Sequence, residues 1–380
     1  MKFKFKVDAN AIQCRTDLVF AKERGEPVEE TVFRETIEKA VNDVVARQVQ
    51  AGIDIVSDGE MSKISYATYI KDRITGFEGD SSRNPPKDLE DFPAFMQRAA
   101  KGGTTPTYSR PCCVSDIEVK STLPSEEDIA NFKAALDKHK PGEGFMNAAS
   151  PGVIALFLPN KHYKTQDEYL EALAEAMRPE YEAIVAAGFI LQLDSPDLGL
   201  GRHMMFKNES DENYIKLANQ HIEVLNYALR NIPADRARMH VCFGNYEGPH
   251  HHDAPMELVL PIALKAKPQG LLFETSNPRH AHEWVVFRDA KIPDDKILIP
   301  GVLDSTTNFI EHPQLVAQRI ETFANIVGRE RVIAGTDCGF STFAGFGAVD
   351  EDIVYAKLAA MAEGAAIATK RLWPPTKSFA

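Results

Sequence analysis

The 380-residue sequence lacks the segments that would place it in a membrane or on nucleic acid. It has no apolar run of about 20 residues, the length of a membrane-spanning helix. Its start, MKFKFKVDAN, lacks the apolar stretch of about 7–15 residues found in signal peptides. No cluster of Lys or Arg stands out, and a formal net charge of −12 disfavours phosphate binding. The sequence therefore predicts a cytoplasmic protein that binds neither membranes nor nucleic acid.

Cysteine is scarce, and phosphate-binding glycine motifs are missing. Five cysteines in a large chain without a secretion signal do not indicate a disulfide framework. Cys14, Cys112 and Cys113 have no metal-like partner nearby in the sequence, so we interpret them as structural or incidental thiols. The glycine segments 199–201 and 345–347 do not complete GxGxxG, and no GxxxxGK[ST] occurs. Neither a dinucleotide site nor a P-loop is therefore expected.

Apolar segments rich in β-branched residues alternate with segments of helical period, which is typical of a parallel sheet with crossover helices. The eight predicted strands are 3–7, 53–57, 144–149, 189–194, 237–243, 270–274, 297–303 and 331–336. The predicted helices are 31–51, 165–187, 211–231, 254–267, 313–328 and 349–369. Pro179 is expected to kink or divide the second of them. Eight β/α units predict a single α/β domain over residues 1–380, folded as a TIM (β/α)8 barrel.

Residues 76–140 interrupt this alternation with the segments GDSSRNPPKD and KGGTTPTYSRP. The stretch is too long for an ordinary loop between two elements of a barrel. We therefore predict an insertion after strand two, with a role as a lid or as a contact of a homo-oligomer.

Four potential metal ligands lie at or after the ends of predicted strands. His240 and Cys242, in MHVCF, are two residues apart and would point to the same face of strand five. Glu274 ends strand six and Cys338 follows strand eight. An HxC pair alone is more often a buried His and a buried thiol, but active sites of TIM barrels lie at these strand ends. Two thiolates, an imidazole and a carboxylate together predict a zinc site.

His250, His251 and His252, in GPHHHDAP, form another group of potential ligands. Three consecutive loop residues cannot easily all face one ion. We interpret them as a solvated or substrate-facing loop, and leave an accessory metal site or an acid/base role open as alternatives.

The motifs around these residues resemble the cobalamin-independent methionine synthases, specifically their catalytic C-terminal barrel and shorter stand-alone relatives. MHVCFGN, FETSNP and GTDCGF match the family's zinc-binding segments in order, and SDGEMSK and QLDSP match its segments after strands two and four. The resemblance implies Zn²⁺ as cofactor, bound by His240, Cys242, Glu274 and Cys338. It also implies that Glu60 and Asp194 hold the amino group of homocysteine, and that a thiol activated by zinc receives a methyl group from a small-molecule donor. No catalytic acid or base is assigned.

Three departures from the family pattern concern the methyl donor and substrate. The family's DxH segment after strand seven, whose His is taken to protonate folate, is GVLDSTTNF here, so Asp304 is followed by Ser305 and Thr306. QxDEP is replaced by QLDSP, with Ser195 in place of a Glu, and VDANAIQCR matches the family's GSxP segment poorly. Folate as the donor is therefore left open.

Three alternatives remain at this point. The chain is also similar to epoxyalkane:coenzyme M transferase, in which a thiol activated by zinc opens an epoxide; Arg202 and Arg279 are then candidates to bind the sulfonate. A barrel with a structural zinc and no catalysis is the second, because four protein ligands are typical of structural sites. The third is a barrel enzyme without zinc, such as a decarboxylase-like protein.

Overall fold

The computed structural model describes residues 12–81, 85–101 and 109–374. The α-helices in these ranges are α1 (Ile12–Glu23), α2 (Glu30–Gln50), α3 (Lys87–Glu90), α4 (Pro93–Lys101), α5 (Leu123–His139), α6 (Pro151–Phe157), α7 (Gln166–Ala186), α8 (Asp211–Ala228), α9 (Met256–Ala263), α10 (Trp284–Asp289), α11 (Pro313–Val327) and α12 (Glu351–Leu372). The strands are β1 (Ile55–Ser57), β2 (Phe77–Glu78), β3 (Cys112–Cys113), β4 (Glu143–Ala149), β5 (Ile190–Asp194), β6 (Ala237–His240), β7 (Gly270–Phe273), β8 (Ile297–Pro300), β9 (Ser341–Phe343) and β10 (Phe346–Gly347). Among these helices, none combines the length and the apolar character needed to span a membrane.

Six parallel strands form the central sheet in the order β1-β4-β5-β6-β7-β8. Parallel bridges from Leu298 to Val332 and from Gly301 to Gly335 place the predicted eighth strand beside β8. Seven of the predicted strands therefore lie side by side, and the remaining one, 3–7, falls outside the described residues. This arrangement of strands and covering helices confirms the predicted α/β, TIM-barrel-like fold class.

The crossover helices cover the sheet with apolar faces. In α2, for example, Ile37, Val41, Val44 and Val45 are buried at the spacing that the sequence indicates. Each predicted helix is present with its ends shifted by a few residues. Of the two expected effects of Pro179, a kink or a division of the helix, the division does not occur: α7 runs through the proline, and buried side chains continue on both sides of it. The capping box of Thr165 with Glu168 starts this helix as expected.

The HxC strand is shorter than predicted. β6 ends at His240, although the Val241 N–H still donates to Leu272 O at 2.9 Å. The next carbonyl, that of Cys242, accepts the Leu200 N–H at 2.9 Å instead of continuing the ladder. The chain therefore turns away from the sheet at the point where the two potential ligands lie.

The described part of the predicted insertion, residues 76–140, contains the strands β2 and β3 and the helices α3, α4 and α5, and its role as an insertion stays a prediction. β2 and β3 pair antiparallel, and the Cys113 N–H donates to Pro159 O at 3.0 Å. Cys112 and Cys113 are both buried, and burial raises the pKa of the Cys113 thiol to about 11. Such a thiol is a poor nucleophile at neutral pH, which agrees with the structural role expected from the sequence.

Candidate metal centre

Three of the four predicted ligands meet beyond the C-terminal ends of the barrel strands. His240 ends β6, Cys242 follows two residues later, and Cys338 follows the bridged segment 332–335. The ligating atoms of these three buried residues all lie within 4.8 Å of one another. The two Sγ atoms are 3.1 Å apart, and Cys338 Sγ is 3.7 Å from His240 Nε2. The side chains therefore converge as the strand pattern predicts, and their role as ligands stays a prediction.

Glu274, the fourth predicted ligand, lies beside this group at the end of β7. Its Oε1 is 3.6 Å from Cys338 Sγ and accepts the Phe243 N–H at 3.0 Å. Its Oε2 accepts hydrogen bonds from Asn277 Nδ2 and Arg279 Nη2, both at 2.7 Å. The carboxylate is thus held next to the thiols. It does not belong to the group of three residues whose ligating atoms all lie within 4.8 Å of one another.

The imidazole of His240 has a defined orientation. Its Nδ1 is 3.3 Å from Oδ1 of the buried Asp194, whose Oδ2 accepts a hydrogen bond from Asn147 Nδ2 at 3.1 Å. Its Nε2 faces Cys338 and lies 3.1 Å from the Asp337 carbonyl oxygen. A carboxylate at Nδ1 favours the tautomer whose Nε2 lone pair can bind a metal. Asp194, predicted to hold substrate, therefore also positions His240.

Asp337, which sequence reasoning missed, joins the loop after β7 to the segment that carries Cys338. Its Oδ1 accepts the Thr275 and Ser276 N–H groups at 2.8 and 2.9 Å. Its Oδ2 accepts two hydrogen bonds from Asn277, both at 2.9 Å. Burial raises the pKa of this carboxyl to about 6. Its place in GTDCGF was the available signal, but its partners are 60 to 62 positions away in the sequence.

The donor set suits a metal ion. Burial and the adjacent Cys242 raise the pKa of the Cys338 thiol, and the charge of Glu274 adds to this effect. A buried thiol beside a carboxylate, such as that of Cys338, stays protonated unless a cation offsets the charge of its thiolate. Two sulfurs and one imidazole nitrogen are ligands that Zn²⁺ accepts readily. The residues therefore fit the zinc ion that the family resemblance implies.

Glu60, the other predicted substrate ligand, lies in a turn after β1. Its backbone is left-handed, with φ of 55°, and its N–H donates to Asp58 Oδ1 at 3.1 Å. Its Oε1 is 3.3 Å from Lys63 Nζ, which also donates to Asn147 O at 2.7 Å. Because Asn147 Nδ2 donates to Asp194, both predicted substrate carboxylates belong to one polar network. A non-glycine residue held at positive φ is found preferentially at functional sites.

A groove beside Glu60 connects this turn to the segment that follows Cys338. Its far wall is the hairpin β9–β10, and the Ala344 N–H donates to Ile64 O at 2.9 Å across it. The residues lining the groove are Gly59, Glu60, Lys63, Ser65, Tyr66, Ser341, Thr342, Phe343 and Ala344.

A second polar network extends outward from Glu274. Arg279, which donates to Glu274, also donates from Nη1 to Asp253 Oδ2 at 3.2 Å. His280 contacts Asp253 through Nε2 at 3.0 Å and Glu283 through Nδ1 at 2.6 Å. Burial by itself lowers the pKa of His280, but these two hydrogen bonds outweigh it and raise that pKa to about 9. The loop after β7 is therefore held by a protonated His between two carboxylates at neutral pH.

The insertion reaches the same region through Asp88 in α3. This side chain is fully buried, and its Oδ2 accepts hydrogen bonds from Tyr246 Oη at 2.7 Å and from the His250 N–H at 2.9 Å. His203 Nδ1 is 3.5 Å from its Oδ1. The insertion thus contacts the loop that follows the HxC segment, a contact that the sequence did not reveal.

The loop after β8 differs from the family pattern, as the sequence indicates. Asp304 Oδ1 accepts hydrogen bonds from the Thr306 N–H and hydroxyl at 2.7 and 2.8 Å. Ser305 Oγ lies 2.9 Å from Asn245 Oδ1, which links this loop to the one after β6. Residues 304–306 carry no imidazole, and His312 at the end of this loop caps α11, where its Nδ1 accepts the Gln314 N–H at 3.1 Å.

The chain is similar to known proteins in sequence and in structure. No protein-family model matches the chain. A methionine synthase from Saccharolobus solfataricus is 25% identical over 349 residues, covering 89% of this chain and 87% of that one. A methionine synthase from Thermococcus kodakarensis is 24% identical over 341 residues, covering 90% and 85%. The structure of a B12-independent methionine synthase from Shewanella sp. W3-18-1, in complex with selenomethionine, covers 98% of both chains with a TM-score of 0.68 and 18% identity.

The likeness to the solved structure concerns the fold. The sequence matches extend over most of the chain and over most of each relative. The resemblance to methionine synthases that the motifs indicate is therefore confirmed.

Proposed function

We propose that this protein is a zinc-dependent S-methyltransferase that transfers a methyl group to the thiol of homocysteine and so forms methionine. The observation that carries the proposal is the convergence of two thiols and an imidazole, buried beside a carboxylate, at the catalytic end of a TIM-like barrel. Methionine synthases are homologous to the chain over most of its length, which supports the same acceptor.

His240, Cys242 and Cys338 would hold the zinc ion, with Glu274 adjacent to them. When bound, Zn²⁺ lowers the pKa of a substrate thiol, whose free value is about 8.5, and keeps the sulfur nucleophilic at neutral pH. Asp194 keeps His240 Nε2 turned toward the thiols. Burial of the site excludes water, which strengthens each of these electrostatic contacts.

Glu60 and Asp194 are proposed to bind the ammonium group of the acceptor. Glu60 lies in the wall of the groove, and a carboxylate there can accept charge-assisted hydrogen bonds from an ammonium. Lys63 already donates to Glu60, so its Nζ would share this carboxylate with the substrate or move toward Asn147 O. Asp194 is 2% exposed and has protein donors on both oxygens, so we assign it the smaller share of substrate binding.

The proposal names the acceptor and not a folate donor. The family's acid is replaced by Asp304, Ser305 and Thr306, and Asp304 already accepts two hydrogen bonds from Thr306. A donor whose departing group needs no proton from this loop is compatible with the site.

The coenzyme M alternative requires a cation that is free to bind a sulfonate. Arg279 donates to Glu274 and Asp253, and Arg202 donates to Asp211 Oδ1 at 2.9 Å. Both guanidinium groups are therefore committed to carboxylates of the protein. This arrangement favours an acceptor with an ammonium group over one with a sulfonate.

An acceptor screen on the zinc-loaded protein tests the proposal. Homocysteine, coenzyme M and 3-mercaptopropionate would each be combined with a folate, a sulfonium and a corrinoid methyl donor, and S-methyl products measured by mass spectrometry. We expect homocysteine to be methylated with at least one donor. The Glu60→Gln variant should raise KM for homocysteine about 10-fold or more, since a hydrogen bond to a charged group contributes about 1.5–3 kcal/mol. Turnover of coenzyme M without turnover of homocysteine would overturn the proposal.

A further inference from the structure

We propose that Asp91, His251 and His252 form a second metal site, which binds a divalent transition ion such as Zn²⁺ between the insertion and the loop after β6. Its ligands are different residues from those of the buried centre, and it does not depend on the proposed reaction.

The three side chains already converge on one point. His251 Nε2 and His252 Nε2 lie 3.0 and 2.6 Å from the same oxygen, Asp91 Oδ2. The two imidazole rings have centroids 4.2 Å apart, and the three ligating atoms fall within 4.8 Å of one another. A metal ion that displaces the protons in the hydrogen bonds between Asp91 and the two imidazoles can contact two nitrogens and one oxygen.

A backbone turn at His250 separates the three consecutive histidines. His250 has φ of 52° and is buried, with Nδ1 3.1 Å from Asp253 Oδ1 and Nε2 2.9 Å from Tyr246 O. The left-handed residue turns the chain, so His251 and His252 both face outward. The expectation that three neighbouring histidines cannot share one ion therefore holds, and two of them can.

One buried carboxylate positions both halves of the proposed site. Asp88 accepts the His250 N–H, and it lies three residues before Asp91 in the insertion. Its side chain is fully buried, and Tyr246 Oη donates to it as well. The two segments that carry the ligands are thus joined by hydrogen bonds directly beneath the cluster. This anchoring reduces the ordering that an ion would otherwise have to impose.

The chemistry of the ligands indicates the kind of ion. Two imidazoles and a carboxylate suit Zn²⁺, Ni²⁺ and Cu²⁺, whereas Mg²⁺ and Ca²⁺ prefer oxygen ligands alone. The side chains are 31 to 44% exposed, so water can complete the coordination. The bound ion would hold α3 and the start of α4 against the loop after β6.

The test counts Zn²⁺ ions bound by the full chain, using competition with a chromophoric chelator. We expect the unmodified protein to bind two Zn²⁺ ions per chain. The double variant His251→Ala, His252→Ala should bind only one, the more tightly held ion of the buried centre. The variant Cys242→Ser, Cys338→Ser should retain only the weaker equivalent. Asp91→Asn should weaken that equivalent at least about 10-fold, in line with the loss of one of three ligands.

A matched control is His162→Ala. His162 Nε2 is 2.8 Å from Asp116 Oδ1 in an exposed pair without a second His beside it among the described residues, so this variant should bind two equivalents. The His and Asp91 variants affect side chains at the surface, the Cys242→Ser, Cys338→Ser variant affects buried ones, and circular dichroism would confirm that all of them fold. Zn²⁺ should also slow amide exchange in residues 87–96 and 246–253 of the unmodified protein, and not of the double His variant. A number of bound Zn²⁺ ions that the double His substitution leaves unchanged would overturn the proposal.

Discussion

Two clusters of potential metal ligands take residues from opposite ends of the segment 240–252, and they differ in how the chain holds them. His240, Cys242 and Cys338 are buried at strand ends, whereas Asp91, His251 and His252 are exposed on loops and at the end of a short helix. Both clusters bring three ligating atoms within 4.8 Å of one another. Convergence of side chains alone therefore does not distinguish a catalytic centre from a surface site.

The two clusters differ in the contacts that support their ligands. In the buried cluster, Asp194 positions His240, and Asp337 accepts four hydrogen bonds that hold the neighbouring loop. In the exposed cluster, the ligands contact one another, His251 also meets the ring of Phe92 with centroids 5.3 Å apart, and Asp88 anchors the backbone beneath them. Partners behind the ligands fix orientation and increase metal affinity. We therefore expect the buried centre to bind Zn²⁺ more tightly than the exposed one.

The largest expected effect is the loss of a thiol from the buried cluster. Cys242→Ser or Cys338→Ser should abolish tight Zn²⁺ binding and lower kcat/KM by on the order of 10²–10³ or more, the usual cost of losing charge stabilisation at a reacting centre. Elemental analysis and initial rates would measure both effects. Cys112→Ser, which changes a buried thiol in the insertion, is the control and should keep the metal. A Cys242→Ser variant that retained metal and activity would support a zinc-independent barrel enzyme.

Near the buried cluster, His280 is expected to contribute to folding stability in a way that depends on pH. The pKa of His280 is raised to about 9, so its stabilising charge is fully present below the unfolded value of about 6.5 and is lost as pH rises through 9. The contribution is at most roughly 3 kcal/mol, since one pKa unit corresponds to about 1.4 kcal/mol. Urea unfolding of the metal-loaded protein between pH 6 and 10, spanning both pKa values, would measure it.

The variant His280→Gln isolates that effect. The imidazole of His280 also stacks on Phe243, with ring centroids 4.0 Å apart. Its loss should therefore also lower stability by an amount that does not depend on pH. The additional decline in stability above pH 6.5 should disappear. An unchanged pH dependence in this variant would show that His280 is not the group responsible.

Asp337→Asn should weaken the buried centre without removing a ligand. The amide cannot replace a carboxylate that accepts hydrogen bonds from Thr275, Ser276 and Asn277, so Cys338 and Glu274 would lose their fixed separation. We expect Zn²⁺ affinity to fall about 10- to 100-fold, as for other residues that support ligands. Chelator competition measures this change, and an affinity equal to that of the unmodified protein would remove Asp337 from the account.

The smallest expected effect concerns the anchor of the exposed cluster. Asp88→Asn should destabilise the protein by about 1–3 kcal/mol, because a buried acceptor of two hydrogen bonds is impaired. It should weaken the second Zn²⁺ equivalent more than the first. Glu90→Gln, which affects an exposed partner of Lys207, is the control and should change neither. Equal weakening of both equivalents would contradict the separation of the two clusters.

The sequence predicts the barrel and the buried cluster, but it does not predict the side-chain contacts that support the cluster and the loops around it. Strand ends of a barrel meet at one edge, so the convergence of His240, Cys242 and Cys338 was predictable, although β6 ends at His240 and Cys242 lies beyond the strand. The contacts of Asp337 and Asp88 were not, because their partners lie far away in the sequence and on irregular loops. The direction of each histidine in residues 250–252 depends on one left-handed residue, which the composition of the loop does not specify.

We propose that the buried cluster binds zinc and that this zinc activates a substrate thiol. X-ray absorption at the zinc edge, recorded on the double variant His251→Ala, His252→Ala so that only the buried centre contributes, tests it directly. Without substrate, we expect two sulfur neighbours, from Cys242 and Cys338. With homocysteine, we expect a third. A sulfur count that stays at two with homocysteine and with every other thiol tested would contradict the account and favour a structural zinc.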